Sequence, residues 1–166
     1  YTISLVSEET VDLNSDANHI AVSLISNVED LEVDFGGAED WISMTAVSDA
    51  FGKKIVEFDV VRSSEFKERT AVVTLGAAAS DDVVTVTVNQ AQRDTAFVVG
   101  EQKIVKGLEA LSIDLVIKSN VDVTYSLPTW LSQTVTATTE KDETGLQSKS
   151  ITLTADACGG SRSATI

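Results

Sequence analysis

The chain has 166 residues, 43% of them hydrophobic and only 5% aromatic, with a net charge of −14. A length between one and two domains leaves the domain count open, whereas so large an acidic excess argues against partners with a nucleic-acid backbone or an anionic membrane surface. No run approaches the roughly 18 apolar residues that cross a bilayer, so direct membrane insertion by this segment is excluded as an expectation.

Read in chain order, strand signals dominate. Asn14-Ser15-Asp16-Ala17-Asn18 is a turn leading into Ile20-Ala21-Val22-Ser23-Leu24, whose period-two alternation sends one side chain in two to a core. Gly36-Gly37 is a turn ahead of Trp41-Ile42-Ser43. Lys54 to Val61 sets Val56, Phe58 and Val60 on one face, and Arg69-Thr70-Ala71-Val72-Val73 follows. Ala77 to Asp82 reads as a hairpin loop before Val83-Val84-Thr85-Val86-Thr87-Val88. Gln92-Arg93-Asp94-Thr95, with no Gly/Ser or Pro tract, is a short, stiff junction. Beyond it lie a turn at Val105 to Glu109, an alternating strand Ile113 to Ile117 and Pro128 ahead of Trp130-Leu131-Ser132. Ser150 to Ala155 then presents Ile151, Leu153 and Ala155 to one side, and Arg162-Ser163-Ala164-Thr165-Ile166 ends the sequence. No segment sustains an apolar helical period over three turns. Short strands separated by turns predict an all-β sandwich.

The second series repeats the first at about 93 residues, a whole domain rather than a solenoid turn. Ser26-Asn27-Val28 returns as Ser119-Asn120-Val121, Trp41-Ile42-Ser43 as Trp130-Leu131-Ser132, and Arg69 to Val73 as Arg162 to Ile166. The expectation is therefore two tandem immunoglobulin-like β-sandwich domains, residues 1–93 and 94–166. The first carries most of the charge: 17 acids and 6 bases against 9 and 6, or −11 and −3. The second has no counterpart of Val84 to Ala91, so it is expected to lack its last strand and to expose an edge. A boundary cut from a longer protein accounts for this. The alternative is a pilin-like domain completed by a neighbour's strand.

Four features together resemble the BACON family (Bacteroidetes-associated carbohydrate-binding, often N-terminal). They are Ser26-Asn27, Trp41-Ile42, Arg69-Thr70-Ala71-Val72-Val73 and the closing Val86-Thr87-Val88-Asn89-Gln90-Ala91. In the second repeat the carriers are Ser119-Asn120, Trp130-Leu131 and Arg162-Ser163-Ala164-Thr165-Ile166. The resemblance implies small sandwiches in exported, often lipid-anchored surface proteins of gut bacteria, ahead of glycoside hydrolases or other domains, and binding carbohydrate or mucin or acting as spacers. Many members carry a further tryptophan soon after Ser-Asn, where this chain has Leu31 and Val123.

The chemistry-bearing residues are few. Trp41, Trp130 and Tyr125 are the candidate carbohydrate-binding residues, because an exposed indole or phenol offers an apolar plane to the C–H face of a sugar. The competing reading is a core plug repeated in each sandwich, and Phe35 is read the same way. Asp12-x-Asn14-x-Asp16 matches the start of a calcium loop, but Ala17 and Ser23 stand where Gly and Glu are needed, which favours an ordinary turn. Glu29-Asp30, Glu39-Asp40 and Asp81-Asp82 could suggest glycosidase carboxylates, yet the second repeat keeps only Asp122 of the set. Cys158 is the one cysteine and His19, read as a turn residue, the one histidine, and they fall in different repeats. No enzyme, metal or cofactor is expected. The first functional expectation is a spacer that positions another domain of the same polypeptide at the cell surface or in the periplasm. Glycan binding is the second and strand addition the third.

Overall fold

A computed structural model describes residues 1–78, 81–101, 103–104 and 106–166. Ala79 and Ser80 of the expected hairpin loop and Val105 of the expected second turn lie outside the described residues. The described residues are all-β, with no helix, and divide into two compact units, Tyr1–Arg93 and Asp94–Ile166.

Unit 1 contains eight strands: β1 (Ile3–Leu5), β2 (Thr10–Leu13), β3 (Asn18–Ser26), β4 (Glu32–Asp34), β5 (Ile42–Ala50), β6 (Lys53–Val60), β7 (Arg69–Gly76) and β8 (Val83–Gln90). They form two four-stranded sheets, ordered β1-β3-β6-β5 and β2-β8-β7-β4. All pairs are antiparallel except β2 with β8. The alternation that defines β3, β6 and β8 places Val22, Leu24, Val56, Phe58, Val60, Val86 and Val88 in one buried cluster with Ala71, Val73 and Leu75 of β7. The two inner faces thus close on each other as a sandwich. Each fully buried valine, leucine or phenylalanine contributes about 1.5–3 kcal/mol. Phe35 meets Phe58 edge to face, with ring centroids 6.0 Å apart.

Unit 2 contains β9 (Ala96–Val99), β10 (Leu111–Ser119), β11 (Ser132–Ala137) and β12 (Gln147–Ala155). They form one antiparallel sheet in the order β11-β12-β10-β9. Taken from the other edge, that order repeats β1-β3-β6-β5 strand for strand.

Residues 162–166, read from their likeness to β7 as a strand, form none, and no second sheet exists among the described residues of unit 2. The reason lies in unit 1, where β8 is the interior strand that bonds β2 on one side and β7 on the other. Among the described residues of unit 2 no strand pairs with residues 162–166, so their backbone groups gain no ladder bonds from extension.

Candidate functional site

Trp41 is set by the turn that precedes it. Gly36 and Gly37 adopt φ of 62° and 89°, a left-handed backbone that glycine adopts without cost. The Asp34 carboxylate accepts from the Gly36 N–H at 2.8 Å. The next turn has Trp41 N–H donating to the Ala38 carbonyl at 3.0 Å and delivers the indole into the core, where Trp41 is 8% exposed. The Arg69 guanidinium lies over the ring, 4.4 Å from its centroid, a cation–π contact. Arg69 Nε donates to Gln90 Oε1 at 2.8 Å and Nη2 to the Val61 carbonyl at 2.9 Å. Gln90 is fully buried, and its Nε2 donates to the carbonyls of Asp16 and Val61 at 2.9 and 3.1 Å. Trp41, Arg69 and Gln90 therefore form one closed stack that ties β7 and β8 to the loops after β2 and β6. A sugar has no open face of Trp41 to stack on.

Trp130 follows an equivalent turn, with Leu131 N–H donating to the Pro128 carbonyl at 3.0 Å. Arg162 lies over its ring at 5.0 Å and donates from Nη2 to the Asp156 carbonyl at 3.1 Å. This is the Trp41–Arg69–Val61 arrangement again, but Trp130 is only half-buried. It shares a cleft of about 1080 Å³ with Tyr125, whose hydroxyl donates to Gln133 Oε1 at 2.6 Å. The floor of that cleft is the apolar inner face of β10 and β12. The structure thus brings Trp130 and Tyr125 together in unit 2 and places Trp41 in the core of unit 1.

The other singled-out groups have structural partners. Asn14 Oδ1 accepts from Asp16 N–H and Asn18 Nδ2, which makes the calcium-like stretch an Asx turn. Asp12 Oδ1 accepts from Asn89 at 2.8 Å, and Asp16 pairs with Arg62 at 3.5 Å. The three acidic pairs are exposed. Cys158 donates to the Gly160 carbonyl at 3.0 Å, and its hydrogen bond with Arg162 holds the thiol below its usual pKa, burial working the other way.

His19 is not in the turn but on β3, opposite Asp59 of β6. Its Nδ1 is 2.7 Å from Asp59 Oδ1, and Nε2 is 3.9 Å from Glu57. The hydrogen bond to Asp59 raises its pKa above 6.5. A histidine whose pKa rises on folding stabilises the fold below its unfolded value and loses that contribution as pH climbs through the folded value. The melting temperature of wild type should therefore exceed that of His19→Gln at about pH 5 and converge with it at about pH 8.5, well above the ordinary histidine value. A gap that is constant across this range would show that the pair does not form.

The geometry defines a class first: an all-β chain whose first unit is a closed two-sheet sandwich and whose second presents an apolar cleft. Residues 31–91, from the residue before β4 to the residue after β8, match the BACON family, described as "Putative binding domain, N-terminal". No curated protein matches the sequence. Among solved structures, the chain is similar to a Bacteroides ovatus GH5 xyloglucanase in complex with a XXXG heptasaccharide. That likeness has 18% identity and a TM-score of 0.46, and covers 55% of this chain but only 19% of the other. A chimeric titin Z1Z2 functionalized with a KLER exogenous peptide from decorin is similar at 5% identity and a TM-score of 0.37, over 94% of this chain and 82% of the other. Neither likeness is close enough to carry an inference.

Proposed function

We propose that the chain is a non-catalytic spacer of an exported surface protein, anchored through lipid at the cell surface or in the periplasm, that positions an attached domain. The observation that carries this reading is the closed Trp41–Arg69–Gln90 stack. Trp41, the aromatic of unit 1 that recurs as Trp130, is committed to holding two sheets and two loops together, which suits a rigid body better than a ligand platform. The acidic surface keeps such a body soluble and away from anionic surfaces. Unit 2, with the strand order of the first sheet of unit 1, is a second module of the same BACON kind.

Carbohydrate binding is the second reading, and one observation favours it: Trp130 and Tyr125 share an open cleft in unit 2. A glycan array covering mucin, host and plant polysaccharides, with and without calcium, separates the two. The spacer reading predicts a blank array from folded protein and no release of reducing sugar. Reproducible binding that is lost in folded Trp130→Ala or Tyr125→Ala variants would replace it with a carbohydrate-binding role for unit 2.

A further inference from the structure

Among the described residues, Phe51 is the one non-glycine residue with a positive φ, 53°, and Gly52 follows it at 74°. The two close the hairpin between β5 and β6, where Ala50 pairs with Lys53. A two-residue turn with positive φ at both positions suits Asn-Gly or Asp-Gly, whereas a bulky side chain in the left-handed region is strained. The ring is also fully exposed, at 102%. Phe51 therefore costs the fold twice, in backbone strain and in apolar surface left in water, and no contact within the chain offsets either.

The strand order sets the surroundings of this hairpin. Ile25, 55% exposed, faces outward on β3 one residue past the Leu24↔Lys54 pair that joins β3 to β6. Residues 27–31 cross at this end from β3 to β4 and carry Glu29 and Asp30, and Glu32 opens β4 opposite Gly76. Asp81 and Asp82 come just before Val83, which also pairs with Gly76. With Asp49 these are six exposed acids against Lys53 and Lys54, and Lys54 is buried against Asp49 at 3.3 Å. The opposite end, around Trp41, balances Arg62, Lys67, Arg69 and Arg93 against five acids.

We infer that the Phe51 hairpin is a docking site for an arginine-bearing segment of a partner protein. The exposed ring is the anchor, and the charge around it selects the occupant. A guanidinium is planar, stacks on an aromatic face and forks to carboxylates, which a compact ammonium does not do. Unit 1 uses the same chemistry internally, where Arg69 lies over Trp41 at 4.4 Å. In the complex the partner's arginine stacks on Phe51, Glu29, Asp30 and Glu32 supply the opposite charge, and an apolar neighbour covers Ile25. A neutral sugar would leave the acids unused, and an anionic bilayer would be repelled. The inference does not rest on the spacer reading.

The test titrates the full 166-residue chain with a capped hexapeptide alternating leucine and arginine and follows backbone amide shifts. The expected result is saturable one-to-one binding with shifts confined to residues 25–32 and 49–54, and weaker binding of the same peptide with lysine for arginine. Phe51→Asn should weaken binding at least about fivefold, the upper value of one exposed cation–π contact. It should also raise the urea midpoint, because asparagine tolerates the turn; stability gained as binding is lost marks a residue kept for a partner. Glu29→Lys with Asp30→Lys should weaken binding further, whereas Glu39→Lys with Asp40→Lys, beside Trp41, should leave it unchanged. No saturable binding, undiminished binding to Phe51→Asn, or equal losses from the two charge reversals would overturn the inference, the last by reducing it to general attraction between opposite charges. Shifts at the same residues with cellohexaose and none with the arginine peptide would overturn it in favour of a sugar.

Discussion

Trp41→Ala is expected to lower the stability of unit 1 by about 3–5 kcal/mol, the usual cost of truncating a buried tryptophan. The indole is 8% exposed within the cluster that joins both sheets, so its loss leaves a cavity walled by strands that cannot collapse into it. It also uncovers the Arg69 guanidinium. Trp130→Ala should cost unit 2 less than about 1.5 kcal/mol, because a half-buried ring removed from an open cleft leaves space that water already reaches. Urea unfolding of the two variants checks both values. Equal costs would mean that Trp130 is as enclosed as Trp41 or that Trp41 is as open as Trp130.

Gln90→Leu is the second large effect, at about 1–3 kcal/mol. The substitution keeps the volume of the side chain but strips Arg69 Nε of its partner, and an unmade bond at such a group costs about 1–3 kcal/mol, whereas the Asp16 carbonyl keeps the bond from Asn18 Nδ2. Val61 suffers less, since its carbonyl keeps the bond from Arg69 Nη2. Arg69→Met should cost less in the Gln90→Leu background than in wild type, because removing both partners of a buried bond is cheaper than removing one. Denaturation midpoints of the two single variants and the double variant measure this coupling. Strict additivity would show that Arg69 and Gln90 do not depend on each other.

The elements legible in the sequence were those whose side chains alternate strongly. β3, β6 and β8 face the core with Val22, Leu24, Val56, Phe58, Val60, Val86 and Val88, all visible as a period of two. Others carry no such stripe. Every residue of β11 is exposed, and β4 is three residues long; both exist because a neighbour offers a ladder. Residues 162–166 make the converse case, since their pattern matches β7 while no strand among the described residues pairs with them. His19 was misread because the turn closes one residue earlier than its Asn/Asp composition suggests.

The candidate site divides along the same line. The paired Trp and Arg positions were visible as repeats, but the burial of Trp41 against the half-exposure of Trp130 depends on whether a second sheet closes over them. Gln90 could be seen only as one residue of a closing motif. Its partners Asp16 and Val61 stand 74 and 29 positions away, and no local pattern reports a bond of that range.

The most direct measurement is native-state hydrogen exchange resolved along the whole chain. The observed ladders predict slow exchange throughout β7 and β8, slow exchange in β10 and β12, and fast exchange at residues 161–166, which lie in no ladder despite the likeness of 162–166 to β7. Protection of residues 161–166 comparable to that of β7 would contradict it, because unit 2 would then possess the second sheet and its cleft would be closed.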